Sequence, residues 1–345
     1  MSDEPINTAL IDTYTPKNIL VTGGCGFIAS NFINDLVIKY PNYNFINIDC
    51  LYICSTTNNI IVSDKPNYHF IKGNICSYDL ILYVLNYFFI DTVIHFAAQS
   101  HVDNSFSDPI QYTKDNILGS HTLIEACRIY NKINRFIYIS TDEVYGESDP
   151  NDCDKKTETS LLCPTNPYSA TKASAEFIAM SYYHSYKFPL IITRCNNVYG
   201  KRQYPEKLIP RFICLLKENK KCTIHGMGQT KRSFIYTDDV ISAISVILHK
   251  GATGEIYNIA SDDEFTVLDI AKMLVKKIKN TDDFEQWITN VKDREFNDKR
   301  YYISSHKLEK LGWSKNICFS EGLDKVINWY INKINHYDYW DNLIL

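Results

Sequence analysis

Residues 140–146 read Ser-Thr-Asp-Glu-Val-Tyr-Gly, and Tyr168 and Lys172 follow at the spacing of one helical turn. An acid pair, a phenol and an ammonium group sharing one site could carry out a redox-assisted elimination on a sugar. A tyrosine held near a lysine can take a proton from a sugar hydroxyl as hydride leaves for a nicotinamide, and two adjacent carboxyls can then serve as acid and base. Asp142 and Glu143 stand so close in the chain that double ionisation is disfavoured, and one proton is expected to stay on the pair near neutral pH. Taken singly these residues are ordinary: a turn cap, a surface carboxylate, a solvated Tyr-x-x-x-Lys helix face. Their company in the rest of the chain gives them weight.

Such chemistry needs a dinucleotide. Thr22-Gly-Gly-Cys-Gly-Phe-Ile-Ala29 follows an apolar run and opens a helical pattern, setting Gly23, Gly26 and Ala29 in a G-x-x-G-x-x-A array with Phe27 and Ile28 beside them. Small residues there let the chain turn tightly and let backbone N–H groups approach a pyrophosphate at the positive end of a helix. Asp49 ends the next β-rich run, where its carboxylate would accept hydrogen bonds from an adenosine ribose and repel a 2′-phosphate, which favours NAD. Asn74, followed by Ile75, ends the third run and is expected to meet the adenine. Ala97, Ala98 and Gln99 close a fourth, leaving room for the phosphates and the nicotinamide ribose. Lys172 is expected to hold that ribose and to lower the pKa of the Tyr168 phenol.

The elements that must position these residues are legible as alternation. Short β-rich runs at Asn18–Gly24, Asn44–Cys50, Tyr68–Asn74, Thr92–Ala98, Arg135–Ser140 and Pro189–Arg194 alternate with helical patterns at Phe27–Tyr40, Tyr78–Phe89, Ile110–Tyr130 and Pro167–Tyr186. The expectation is an α/β fold, a Rossmann-type doubly wound parallel sheet with its ligand at the carboxyl ends of the strands. Beyond Gly200 the elements shorten: a helix from Lys207, a strand near Cys222–Gly226, a helix over Thr237–Lys250, a strand at Glu255–Ala260, a helix over Val267–Lys279 and a last helix from Ser320. We expect a cofactor domain over 17–200, with a return contribution around 237–260, and a smaller C-terminal α/β substrate-binding lobe over 201–345.

Composition narrows the class. The 345 residues are 45% hydrophobic and 22% charged, which suits a substantial core and excludes a disordered or fibrous chain. A formal charge of -4, without basic clusters interleaved with aromatics, argues against nucleic acid as a partner. The first eighteen residues lack an apolar leader, and no apolar run is long enough to span a bilayer, so the expectation is a cytoplasmic protein without membrane contact. The eleven cysteines never form a C-x-x-C pair; they read as reduced thiols, and no metal site is expected.

From about Asn18 to about Trp313 the chain resembles the extended short-chain dehydrogenases/reductases, and within them the nucleotide-sugar 4,6-dehydratases. The likeness rests on Thr-Gly-Gly-Cys-Gly-Phe-Ile, His-Phe-Ala-Ala-Gln-Ser-His-Val-Asp, Ser-Thr-Asp-Glu-Val-Tyr-Gly, Tyr-Ser-Ala-Thr-Lys, Pro-Glu-Lys-Leu-Ile-Pro and the late Leu-Gly-Trp. The resemblance implies that Tyr168 removes the proton of the glucose 4-hydroxyl as hydride passes to NAD, with Thr141 bonded to the same oxygen. It implies that Glu143 then takes the proton of carbon 5 while a protonated Asp142 donates to the departing 6-hydroxyl. The product would be an NDP-4-keto-6-deoxyglucose, the first step towards rhamnose or another 6-deoxy sugar. It further implies substrate contacts at Ser100, Asn196, Lys207, Leu208, His225, Arg232, Asn258, Arg294 and Asn297, and a homodimer paired through the helices at Ile110–Tyr130 and Pro167–Tyr186.

His225-Gly226 and Phe296-Asn297-Asp298 depart from the bacterial dTDP-glucose enzymes and resemble the dehydratase part of plant UDP-rhamnose synthases, which favours UDP-glucose over dTDP-glucose. The two bases differ chiefly by a methyl, a difference worth only about 1–3 kcal/mol. Two rivals remain at this stage: a UDP-sugar 4-epimerase or UDP-glucuronate decarboxylase of the same fold, against which the acid pair argues, and an inactive dinucleotide-binding regulator, against which the intact Tyr168 and Lys172 argue.

Overall fold

Alternation along the first strand sets the architecture. In β1 (Asn18–Thr22), Ile19 and Val21 point into one apolar cluster and Leu20 into another, because successive side chains of a strand leave on opposite faces. Both faces must therefore be covered, and the sheet sits between two helical layers. The computed structural model describes residues 13–149, 154–293 and 298–333. One face packs on the helices Phe27–Lys39 and Thr237–Lys250, the other on Tyr78–Tyr87, Gly119–Tyr130 and Pro167–Tyr186. Full burial of each large aliphatic side chain in these layers contributes about 1.5–3 kcal/mol.

The other strands of this sheet are β2 (Asn44–Asp49), β3 (Tyr68–Lys72), β4 (Thr92–His95), β5 (Arg135–Thr141), β6 (Leu190–Cys195) and, after three short strands elsewhere, β10 (Ile256–Ile259). All neighbours are parallel, in the order β10-β6-β5-β4-β1-β2-β3. The chain thus forms the doubly wound sheet expected of it, and β10 carries the late segment back onto the first sheet beside β6. β1, β3 and β4 end two or three residues before the sequence pattern suggested, because Gly23, Gly73 and the stretch after His95 leave the ladder to make the loops that face the ligand cavity.

The shorter strands are β7 (Asn197–Tyr199), β8 (Cys222–His225), β9 (Lys231–Tyr236), β11 (Glu264–Thr266) and β12 (Ile288–Val291). They form a three-stranded sheet, β11-β9-β7, and a β12-β8 pair. With the helices Leu208–Lys217, Val267–Lys279 and Phe319–Lys333 they enclose a second core around Phe212, Leu274 and Tyr330. The expected helix Ile110–Tyr130 is one continuous rod with a fault: an α-turn at Pro109–Tyr112, a π-helical stretch at Thr113–Leu118 and an α-helix at Gly119–Tyr130. A π-turn inserts a residue and redirects the side chains around it. It aims Asp115 and Asn116 at the strand ends. A short helix at Val102–Ser107 was not legible as a periodic pattern. Among the described residues no helix is long and apolar enough to cross a membrane.

Candidate active site

The first cavity forms where β1 hands the chain to its helix. Gly23 has φ +68°, a backbone region that favours glycine, and a Cβ on it would lie 2.7 Å from the Ala97 Cα. Gly26 is the N-cap of Phe27–Lys39 and offers no side chain there, so the helix presents bare N–H groups and its positive end to the cavity. Gly23, Gly26, Phe27, Ile28 and Asp49 line this cavity, and Asn74, Ile75, Ala97, Ala98 and Gln99 complete the wall the sequence marked out. Ser100, Tyr168, Lys172 and Lys207 lie at its far end. A diphosphate dinucleotide fits this donor set: a bare helix end, a glycine cradle and a carboxylate at the strand end. Asp49 already receives the Cys25 N–H at 2.9 Å, the Leu51 N–H at 2.7 Å and the Ser55 hydroxyl at 3.0 Å, so it braces the loop as well as facing the cavity.

Tyr168 owes its place to the start of its helix. Asn166 caps Pro167–Tyr186 through a capping box with Ser169, its side-chain Oδ1 accepting the Ser169 N–H at 2.8 Å, and Pro167 fixes the first turn. The Asn166 amide also donates to the Glu143 carboxylate at 3.2 Å, so one side chain joins the helix of Tyr168 to the acid pair. Glu143 and Asp142 enter from a 3₁₀ turn (Asp142–Tyr145) directly after β5, where the Thr141 hydroxyl accepts the Glu143 N–H at 3.3 Å. Asp142 is only 2% exposed, and it accepts a hydrogen bond from the Asn196 amide at 2.7 Å. Lys172 donates to the Ile139 carbonyl at 2.7 Å.

Burial governs the charge states. It pushes Asp142 up to about 7, the neighbouring Glu143 charge adds to the rise, and the Asn196 bond opposes it. Burial also raises Glu143, against the Asn166 bond and the charges of Arg232 and Lys207. The site therefore holds two carboxyls that keep protons more readily than free ones, chiefly through burial, whereas adjacency alone predicted one proton kept on the pair. Burial drives Tyr168 well above its usual value, Glu143 pushes the same way and a hydrogen bond with Thr141 opposes. The expected lowering of this phenol by Lys172 is not among its main influences; burial brings the Lys172 ammonium itself down to about 7.

The second cavity opens beside the first and shares Gln203, Glu206 and Lys207 with it. Glu143, Lys207, Leu208, His225 and Arg232 line it, as expected of a substrate site. Four of the expected residues, Thr141, Asp142, Asn196 and Asn258, line neither cavity. Asn258 lines neither cavity: it is fully buried in β10, where its side-chain oxygen accepts the Tyr145 hydroxyl at 2.9 Å. Asn196 also lines neither cavity; its amide donates to Asp142 and its oxygen accepts the Ser261 N–H at 2.9 Å, so it positions the acid. Thr141 and Asp142 are buried next to Glu143 in the chain, the Thr141 hydroxyl donating to Asp142 at 3.3 Å. Arg294 and Asn297 fall outside the described residues.

Sequence reasoning missed four supports. Asn166 was readable as an Asn-Pro helix start, though its second bond to Glu143 was not. Asp298 and Tyr301 line the second cavity, Tyr301 bonding to Asp298 and Arg232 stacking 4.9 Å over the Tyr301 ring. His95, fully enclosed and pushed down to about 3 by burial, joins Thr22 at 2.7 Å to Ser120 at 2.9 Å. Ser120 donates its hydrogen to the Asn116 carbonyl at 2.5 Å, so His95 carries its proton on Nε2 and accepts from Thr22 on Nδ1. Asn116 in turn holds Gln99 and Thr171. Among the described residues no group of His, Cys, Asp and Glu could hold a metal ion.

Residues 20–326 match the family described as GDP-mannose 4,6 dehydratase. The chain is 49% identical over 319 residues to the trifunctional UDP-glucose 4,6-dehydratase/UDP-4-keto-6-deoxy-D-glucose 3,5-epimerase/UDP-4-keto-L-rhamnose-reductase of Arabidopsis thaliana, covering 92% of this chain and 48% of that protein. It thus spans about half the length of that relative. It is 46% identical over 331 residues to the dTDP-D-glucose 4,6-dehydratase of Homo sapiens, covering 95% of this chain and 93% of the other. The crystal structure of a dTDP-glucose 4,6-dehydratase from Streptomyces venezuelae with NAD and TYD bound superposes with a TM-score of 0.88 at 33% identity, covering 93% of this chain and 99% of that one.

Proposed function

The chain belongs to the GDP-mannose 4,6 dehydratase family, and from that premise we propose that it converts UDP-glucose or dTDP-glucose to the corresponding 4-keto-6-deoxyglucose nucleotide and water, with NAD as resident cofactor. One observation carries the reading: an acid pair with both carboxyls raised, whose Glu143 lines the cavity that holds Arg232 and shares Lys207 with the glycine-cradled cavity holding Tyr168 and Lys172. When bound, the nicotinamide takes a hydride from the sugar and returns it two carbons away, so redox is balanced. Gly23 and Gly26 admit the pyrophosphate, and Asp49 faces the adenosine ribose. Lys172 orients the nicotinamide ribose. Tyr168, hydrogen-bonded to Thr141, accepts the proton of the sugar 4-hydroxyl in its phenolate form, which the positive charge of a bound nicotinamide would favour against the burial that favours the phenol. The ketone so formed acidifies the neighbouring carbon, Glu143 removes that proton, and Asp142 supplies one to the departing hydroxyl. Lys207 and Arg232 bind the diphosphate of the substrate, and His225 stands at the rim where a base would be read.

The region 17–200 with the returning 237–260 serves the cofactor, and the remainder serves the substrate. We place the reaction in the cytoplasm, where a reducing pool suits the free thiols. A homodimer is favoured by apolar exposure along the two expected helices: Ile110 is 64% exposed, Phe177 62% and Tyr186 57%, whereas Tyr130 is core. A monomeric mass in solution would contradict it. Incubation with UDP-glucose and with dTDP-glucose, followed by mass spectrometry, tests the reaction: we expect loss of one water from at least one of them. Conversion only to an isomer of unchanged mass would overturn the dehydratase reading in favour of an epimerase.

A further inference from the structure

Lys172 poses a physical problem that the catalytic set does not solve. Its side chain is nearly enclosed, and an ammonium group taken out of water loses its proton readily unless something nearby favours the charge. Burial brings it down to about 7, and the charge of Glu176, one turn along the same helix, opposes the fall. Glu176 is itself paired with Arg194 of β6 at 2.6 Å, in a contact buried on both sides, so its charge is shared. His95 of β4 is neutral, and Tyr168 holds its proton. From β5 the ammonium meets the Ile139 carbonyl and the ring of Tyr138, whose centroid lies 4.2 Å away. Tyr138 is fully buried and is wedged against His95, with ring centroids 5.4 Å apart. The face of an aromatic ring carries negative potential, and its attraction for a cation is greatest where water is excluded.

We propose that Tyr138 is a positioning residue for the reaction: its ring face holds the Lys172 ammonium charged and aimed into the cofactor cavity, and thereby sets the alkaline limit of cofactor binding and of turnover. The turnover half rests on the dehydratase reading; the cofactor half rests only on the cavity that Lys172 lines. Strand geometry ties the two residues together. Phe136 and Tyr138 leave β5 on the face that packs against Pro167–Tyr186, so the ring lies beneath the lysine while the next residue, Ile139, supplies its carbonyl.

The test measures NAD affinity by calorimetry, and turnover of the nucleotide-glucose, from about pH 6 to about pH 10, a range that brackets the position of the lysine. Three proteins are compared with the wild type: Tyr138→Phe, Tyr138→Leu, and the chain with pentafluorophenylalanine in place of Tyr138. The last keeps the shape of the ring nearly constant and reverses its facial potential. We expect Tyr138→Phe to superpose on the wild type in both profiles. Tyr138→Leu and the fluorinated ring should move the high-pH limb of both down by about one pH unit, the scale of a desolvated cation–π contact. Unmoved limbs in both of these proteins, whatever the loss of amplitude, would overturn the proposal; so would an equal movement in Tyr138→Phe, which would assign the effect to the hydroxyl. Should Tyr138→Leu fail to fold, the fluorinated protein decides alone. If the wild type binds NAD but forms no product, the dehydratase reading fails while the affinity profile still judges Tyr138.

Discussion

The two cavities meet at Gln203, Glu206 and Lys207 yet are built from different material. The cofactor side has at its strand ends a cradle of small residues, Gly23, Gly26, Ala97 and Ala98, where a Cβ on Gly23 would strike Ala97. The substrate side is made of long polar side chains drawn from separate stretches of chain, including Glu143, Lys207, Arg232, Asp298 and Tyr301. A backbone cradle tolerates no added atom, so its damage should appear as lost affinity. A wall of carboxyls and phenols tolerates isosteric change, so its damage should appear in the chemical step. That contrast is directly testable.

The largest effect is expected at Tyr168. Tyr168→Phe removes only the hydroxyl that takes the substrate proton, so turnover should fall by about 10²–10⁴-fold while NAD affinity changes little. Equal losses in both would place Tyr168 on the cofactor side of the comparison. Next comes Gly23→Ala, which puts a Cβ 2.7 Å from the Ala97 Cα at φ +68°. It should cost on the order of 1–3 kcal/mol of strain, seen by calorimetry as roughly 10–100-fold weaker NAD binding with the residual turnover of the saturated enzyme less affected. The smallest effect is expected at Asn166→Ala, which removes a helix cap and the amide partner of Glu143 together. Denaturant titration should find the protein about 1 kcal/mol less stable. Turnover should drop further than stability explains, because Glu143 loses its orientation.

The same contrast decides how much was legible in the sequence. The strand-loop-helix turn at Gly23 and the small residues at Ala97 and Ala98 are local requirements of a parallel sheet, so order along the chain sufficed to place them. Asn166 shows the limit. Its capping role is written in the residues next to it, but its bond to Glu143 spans 23 positions and exists only because β5 ends where the helix Pro167–Tyr186 begins. Asn196 and Asn258 show another limit: residue type and position suggested ligand contacts, but not the bonds their side chains make to Asp142 and Tyr145. The π-helical stretch that delivers Asn116 depends on a fault in helical phase that periodicity alone does not reveal.

The central claim is that Glu143 acts after Tyr168, in elimination and not in the initial oxidation. Mixing Glu143→Gln with the nucleotide-glucose in a stopped-flow spectrometer and following the absorbance of reduced nicotinamide tests it most directly. The account predicts that the reduced cofactor forms and accumulates because the proton next to the ketone is no longer removed. Loss of that absorbance change together with loss of product would contradict it, and would place Glu143 in the oxidation step instead.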